Sequence, residues 1–151
     1  MPQSLDQVYL HTIFSTKDRY PFFQTPDLQR VLHAYLAGVC NELQCRAIKV
    51  GGVADHVHLL TRLPRTITIA EFVKETKRVS SLWLRERDDV WNAFHWQAGY
   101  GVFSVSASNV SQVEKYIARQ TEHHRTVTFQ EEYRDFLNHH GVGFDERYVW
   151  D

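Results

Sequence analysis

The sequence predicts an α+β fold: a four-stranded antiparallel sheet with two helices on one face, followed by further C-terminal helices. Three observations predict it. Four short runs rich in β-branched and aromatic residues (7–15, 46–50, 56–63 and 101–105) are bounded by turn-forming residues. Two longer stretches between them place apolar residues at helical spacing behind a threonine cap. The resulting order, β-α-β-β-α-β, is that of the ferredoxin-like split βαβ arrangement (also RRM-like), whose second sheet face stays open unless something covers it.

The first strand, 7–15, ends at Thr16-Lys-Asp-Arg-Tyr-Pro21. Thr25 followed by Pro26 is a helix start, and Leu28, Val31, Leu32, Tyr35, Leu36, Val39 and Leu43 carry that helix to about Gln44. Strands two and three follow, joined by a tight hairpin expected at Gly51-Gly52 with Asp55 as a turn residue. Thr68-Ile-Ala-Glu71 fits a capping box and opens a second helix to about Arg87. Asp88–His95 reads as a connection. Gly99 and Gly101 beside the fourth strand suggest a bulge or a close backbone approach. Ser108 or Asn109 is the expected cap of a third helix over 110–124. Thr128-Phe-Gln-Glu131 opens a fourth, ended by Gly141, and an aromatic tail follows at 144–150.

At 151 residues the chain is expected to be one domain, 1–151, and 43% hydrophobic content is enough for a packed core. No apolar run approaches membrane-spanning length and no signal-peptide core is present, so a cytoplasmic location without a membrane partner is expected. Two cysteines, Cys40 and Cys45, are too few for a disulfide framework. The formal net charge of −1 argues mildly against a nucleic-acid binder. Acids gather late in the chain, however, and nine lysines and arginines lie between Arg46 and Arg87. Of these, Lys74, Arg78 and Arg85 share one side of the second helix. They form a candidate phosphate-contacting edge, or an ordinary solvated face.

The chemistry concentrates at His56-Val57-His58. A strand turns alternate side chains to opposite faces, so both imidazoles leave the sheet together, while Asp55 is expected to start on the other face. Two imidazoles on a rigid strand form half of a metal site. In a chain with nine histidines such a triplet is a weak signal, and two polar residues on an open sheet face would look the same. The third predicted helix carries Tyr116 one turn from Gln120, with His123 and His124 about two turns away. A phenol near an amide and a metal-bound histidine pair would make a phosphoryl-transfer site. Val113, Tyr116, Ile117 and Gln120 also follow the spacing of a core-facing stripe, in which Tyr116 is simply packed.

Together these stretches resemble a single-tyrosine HUH transposase of the insertion-sequence 200/605 family. The likeness rests on Asp55-His-Val-His-Leu-Leu60, Lys77-Arg-Val-Ser-Ser-Leu-Trp83, Trp96-Gln-Ala-Gly-Tyr-Gly-Val-Phe-Ser-Val-Ser106 and Tyr116-Ile-Ala-Arg-Gln120 with His123-His124 behind it. Thr12-Ile-Phe-Ser-Thr-Lys17 and Glu146-Arg-Tyr-Val-Trp150 fit as well, so the likeness spans nearly the whole chain. It implies that His56, His58 and Gln120 ligate one divalent ion, Mg2+ or Mn2+, and that Tyr116 attacks single-stranded DNA. A 5′-phosphotyrosine and a free 3′-hydroxyl would result. It further implies recognition of hairpins at element ends, with Lys74, Arg78, Arg85, His123 and His124 as DNA-binding candidates. A homodimer is implied too, in which tyrosine helices are exchanged or kept within each subunit. Two imidazoles favour zinc or manganese over magnesium, which prefers oxygen.

Three other readings compete. A non-catalytic nucleic-acid-binding module would use the sheet's aromatics to stack bases, but it leaves the Tyr116/Gln120 spacing unexplained. A structural zinc site would combine Cys40, Cys45, His56 and His58. A domesticated relative acting on repeated chromosomal hairpins would share the chemistry and differ only in its target.

Overall fold

The computed structural model describes residues 2–151. Strands β1 (Tyr9–Ser15), β2 (Ala47–Gly52), β3 (His56–Arg62) and β4 (Gly101–Val105) form one antiparallel sheet in the order β2-β3-β1-β4. Helix α1 (Pro26–Glu42) links β1 to β2, and α2 (Ile69–Arg87) links β3 to β4. This is the predicted ferredoxin-like order. Thr25 caps α1 by accepting from the Leu28 amide at 3.1 Å, and Thr68 caps α2 by accepting from the Glu71 amide at the same distance.

Strand register assigns every side chain to a face. His58 lies opposite Ile13, and Ile13 lies opposite Gly101, so His56, His58, His11, Ile13 and Phe103 share one face. Leu10, Phe14, Val57 and Leu59 take the other. That second face packs on α1 and α2 through Leu32, Leu36, Phe72, Val73 and Leu84, all buried. Each such side chain is worth about 1.5–3 kcal/mol of hydrophobic stabilisation. Tyr35 of α1 stacks on Trp83 of α2 with ring centroids 4.1 Å apart. The predicted connection after α2 is more than a link: it makes one turn at Asp89–Trp91 and sends Trp91 and Phe94 into this core.

The histidine face is not open. Helices α3 (Val110–Ala118), α4 (Gln120–His123) and α5 (Phe129–His139) cover it, with Phe129, Tyr133 and Leu137 packed against Ile13 and Phe103. The aromatic tail joins the same cluster, Trp150 lying edge-on to Tyr133 at 5.9 Å.

Several expectations need correction. The third helix is broken at Arg119, where φ −100° and ψ 18° leave the helical range. The Arg119 amide turns back to Tyr116 O at 3.2 Å, a tighter three-residue step, before the four-residue bonds resume at His123. Neither Ser108 nor Asn109 caps α3 with its side chain; a single 3₁₀ turn, Ala107–Asn109, leads in instead. Gly51 and Gly52 belong to β2 rather than to the turn, which is Val53-Ala54-Asp55, closed by Val53 N–H to His56 O at 3.2 Å. Gly52 has φ +152°, and a Cβ there would lie 2.2 Å from His56 O. A Cβ on Gly51 would lie 2.7 Å from the Ile117 side chain, so this glycine lets α3 approach the sheet.

One lysine ties the sheet's far edge together. The half-buried Lys77 ammonium donates to the carbonyls of Gln97 (2.8 Å), Ala98 (3.3 Å) and Gly99 (2.7 Å). Gln97 Oε1 accepts from the Ser15 amide at 2.7 Å, and Trp96 Nε1 donates to Ser80 Oγ at 2.9 Å. The stretches around Lys77–Trp83 and Trp96–Gly101 are thus contact partners that hold β4 in place.

Candidate active site

Because β3 is extended, His56 and His58 both project toward α3–α5, and both are fully buried. Each ring is held from behind. His56 Nδ1 lies 2.7 Å from Asp55 Oδ1. Strand alternation placed that carboxylate on the opposite face, but Asp55 precedes β3 in the turn, where alternation does not apply. His58 Nδ1 lies 2.7 Å from Nε2 of His11, a buried residue of β1.

The Nε2 atoms face the helices. Gln120, buried at the start of α4, brings Oε1 to 3.1 Å from His56 Nε2. The break at Arg119 precedes this amide. His124 turns inward too, with Nε2 3.0 Å from Gln120 Oε1 and Nδ1 2.6 Å from the Val127 carbonyl. Glu132 of α5, 2% exposed, stands at the centre. Its Oε1 is 3.0 Å from His58 Nε2, 3.3 Å from His56 Nε2 and 3.2 Å from His124 Nε2. Its Oε2 accepts from Gln120 Nε2 at 3.2 Å, lies 3.2 Å from His123 Nε2, and accepts the Tyr116 hydroxyl hydrogen.

Tyr116 is half-buried, its ring 5.9 Å from that of His58 in the same chain. It borders two solvent-open cavities. One, of about 440 Å3, is shared with His123, Glu132 and Phe136; the other, of about 610 Å3, is shared with Lys115, Arg119 and His123. A substrate therefore has a path to the phenol but not to His56 or His58 from the sheet side.

Burial governs the protonation of this cluster. It depresses His58 to about 4, outweighing the pull of Glu132. On His56 burial acts the same way, but hydrogen bonds to Asp55 and Glu132 overcome it and raise the group to about 9. Burial opposes ionisation of Glu132, yet the surrounding His124, His56 and His58 hold its carboxyl well below the usual range. Burial, followed by the Glu132 charge, raises the Tyr116 phenol above its ordinary value.

The sequence reading singled out His56, His58, Tyr116, Gln120, His123 and His124, and the fold brings all six together. It missed Glu132 and His11, and it considered Asp55 as a partner behind the ligands but expected its side chain on the other face. Glu132 carried a signal: with Phe129, Tyr133, Phe136 and Leu137 it lies on the apolar stripe of α5, where an acid is out of place. Cys40 and Cys45 belong to the core on the opposite sheet face, so they cannot share a zinc ion with the histidines. Lys74, Arg78 and Arg85 do come together. They line a cavity of about 480 Å3 with Lys77, Gln97 and Tyr100, on the α2 side of the sheet, away from Tyr116. Lys74 and Arg78 are mostly exposed, while Arg85 donates to the Phe94 carbonyl at 2.9 Å.

A ferredoxin-like sheet whose paired strand histidines face a helix-borne tyrosine and amide defines a class of site, one suited to work on phosphodiesters. The chain belongs to the IS200-like transposase family, whose model matches residues 4–120. The transposase for insertion sequence element IS200 of Salmonella typhimurium is 28% identical over 117 residues, 74% of this chain and 76% of that protein. The ISDra2 transposase TnpA of Deinococcus radiodurans is 25% identical over 119 residues, 76% of this chain and 84% of that protein. Two solved structures share the fold. One is a candidate transposase from Deinococcus radiodurans R1 (TM-score 0.62, 22% identity, 80% of this chain and 95% of that one). The other is a REP-associated tyrosine transposase bound to a REP hairpin (TM-score 0.60, 13% identity, 84% and 74%). Among the described residues no helix is long and apolar enough to cross a membrane.

Proposed function

We propose that this protein cleaves and rejoins single-stranded DNA, with Tyr116 as the nucleophile and a hairpin as the recognised feature. The observation that carries the reading is the Tyr116 hydroxyl, reachable from solvent on one side and bonded on the other to a buried cluster of imidazoles, amide and carboxylate. Family membership supplies DNA as the substrate, and the hairpin is carried over from the REP-bound protein of the same fold.

The donor set fits a divalent metal: imidazoles held at Nδ1 present Nε2 beside an amide oxygen, and an ion bound there would take the place of the His56 Nε2 proton. His56, His58 and Gln120 would hold Mg2+ or Mn2+, which when bound would polarise a phosphate oxygen and offset developing charge. The rest is the work of this chain's own side chains. Tyr116 Oη forms a bond to phosphorus as the P–O3′ bond breaks, and the departing O3′ takes up a proton from the solvent-open cavity, leaving a 5′-phosphotyrosine and a 3′-hydroxyl. The phenol is protonated at neutral pH, so its proton must leave as it attacks, and the hydrogen bond to Glu132 Oε2 is the route. Rejoining is the reverse: a 3′-hydroxyl attacks the phosphotyrosine and Tyr116 regains its proton. The α2 cavity with Lys74, Arg78 and Arg85 offers phosphate contacts that position DNA without reacting with it, and the half-exposed His123 lies at the reacting end. His124 faces inward instead. The closeness of Tyr116 to His58 of its own chain supports a site built within one subunit of any dimer.

The test is Tyr116→Phe on a labelled hairpin-bearing single strand. Phenylalanine keeps the packing surface, so the variant should fold, and the covalent protein–DNA band on a denaturing gel should vanish. An undiminished band would assign the nucleophile elsewhere.

A further inference from the structure

The cluster holds more donors than the reading above uses. His56, His58, His124 and Glu132 each present one ligand atom, and these atoms all lie within 4.8 Å of one another. Two of the rings have their protons assigned by chemistry. Asp55 Oδ1 and the Val127 carbonyl can only accept, so the contacts at 2.7 and 2.6 Å put a hydrogen on Nδ1 of His56 and of His124. Each Nε2 is then the ring atom turned into the cluster, and both face the same two oxygens: Gln120 Oε1 at 3.1 and 3.0 Å, and Glu132 Oε1 at 3.3 and 3.2 Å. His58 Nε2 meets the same Glu132 oxygen at 3.0 Å. Ligands about 2.1 Å from a common ion, at tetrahedral or octahedral angles, stand roughly 3.0–3.4 Å apart. The nitrogen–oxygen separations in the cluster fall in that interval.

We infer that Glu132 and His124 are ligands of the same divalent ion as His56, His58 and Gln120, and that Glu132 bridges the ion to the nucleophile, Oε1 on the metal and Oε2 on the Tyr116 hydroxyl. This rests on the metal-dependent reading of the site and extends it beyond residue 120, where the family match ends. Three imidazoles with two oxygens form a borderline donor set, which suits Mn2+ better than Mg2+.

The experiment is Mn2+ titration of the purified full chain, followed by calorimetry and by loss of the free-ion electron paramagnetic resonance signal. It needs no DNA and no turnover. Wild type should take up one Mn2+, and His58→Ala should lose it. Glu132→Gln, which keeps shape and removes charge, should weaken binding by at least the roughly 10–100-fold typical of losing even an outer-shell partner. His124→Ala should weaken it by a similar factor. Glu132→Asp keeps the charge and shortens the reach. It should bind more tightly than Glu132→Gln and less tightly than wild type, and it serves if the glutamine variant does not fold. If His58→Ala abolishes uptake while Glu132→Gln binds within twofold of wild type, or more tightly, this inference is wrong and the two-histidine reading survives. If His58→Ala binds as wild type does, both fall.

Discussion

Replacing His11 with phenylalanine tests whether the ring behind a ligand sets that ligand's chemistry. His11 is 2% exposed, and its Nε2 lies 2.7 Å from His58 Nδ1. Burial, followed by the His58 charge, holds His11 well below its ordinary pKa, so it is neutral near pH 7. If His58 offers Nε2 to a metal, its Nδ1 carries the hydrogen and His11 must accept it. Phenylalanine preserves a ring of similar size, including the edge-on contact with Phe136 at 5.0 Å, and deletes the acceptor. The stranded N–H should cost about 1–3 kcal/mol. At roughly 2–4 °C per kcal/mol for a chain of this size, the melting temperature should fall by about 2–12 °C. Freed to turn or change tautomer, His58 should also lose about 10–100-fold in Mn2+ affinity. Melting and Mn2+ titration on the same sample measure both effects. His11→Gln, whose amide oxygen can accept, should recover part of each. A phenylalanine variant that melts lower yet binds Mn2+ as wild type does would refute the reasoning and leave His11 a packing residue.

Two further outcomes are expected. Burial, followed by the Lys49 charge, holds His33 down at about 4, and its buried Nε2 has no hydrogen-bond partner among the described residues. The unfolded chain titrates it near about 6.5. Between these values the unfolded state binds more protons, so stability present above about pH 6.5 should decline toward pH 4. His33→Gln should flatten part of that slope in pH-resolved melting, and an unchanged slope would place the loss at other groups. If each site lies within one subunit, co-expressed and co-purified Tyr116→Phe and His58→Ala chains should remain inactive together. Restored cleavage in that mixture would mean that tyrosine helices are exchanged.

Much of the fold was legible because its signals are local. Threonine caps at Thr25, Thr68 and Thr128 opened three helices where the sequence placed them, each accepting from an amide three residues on. Strand alternation put His56 and His58 on one face correctly. The same rule failed for Asp55, which lies one residue outside the strand. The break at Arg119 left no trace because no proline or glycine marks it. His11 is separated from His58 by 47 residues of chain, so that contact is not visible without the register of β1 on β3. Glu132 is the instructive miss. It was counted among acids gathered near the C-terminus, although its spacing from Phe129 and Tyr133 already set it on a buried stripe.

That placement explains why the site can exist at all. His56, His58, Gln120 and Glu132 are 0–2% exposed, and polar groups removed from water this completely are destabilising unless each finds a partner. The helix that provides the central carboxylate also provides the wall. Phe129 lies 4.6 Å from the His56 ring, Phe136 lies 5.7 Å from the Tyr116 ring, and Tyr133 and Leu137 anchor α5 on Ile13 and Phe103. Packing and chemistry are therefore carried by the same eleven-residue helix. Loosening α5, by truncating Leu137 for example, would admit water to the cluster and withdraw Glu132 from Tyr116 in one movement. His56, His58, Tyr116 and Gln120 all lie within the matched segment 4–120, yet their burial depends on a helix beyond it.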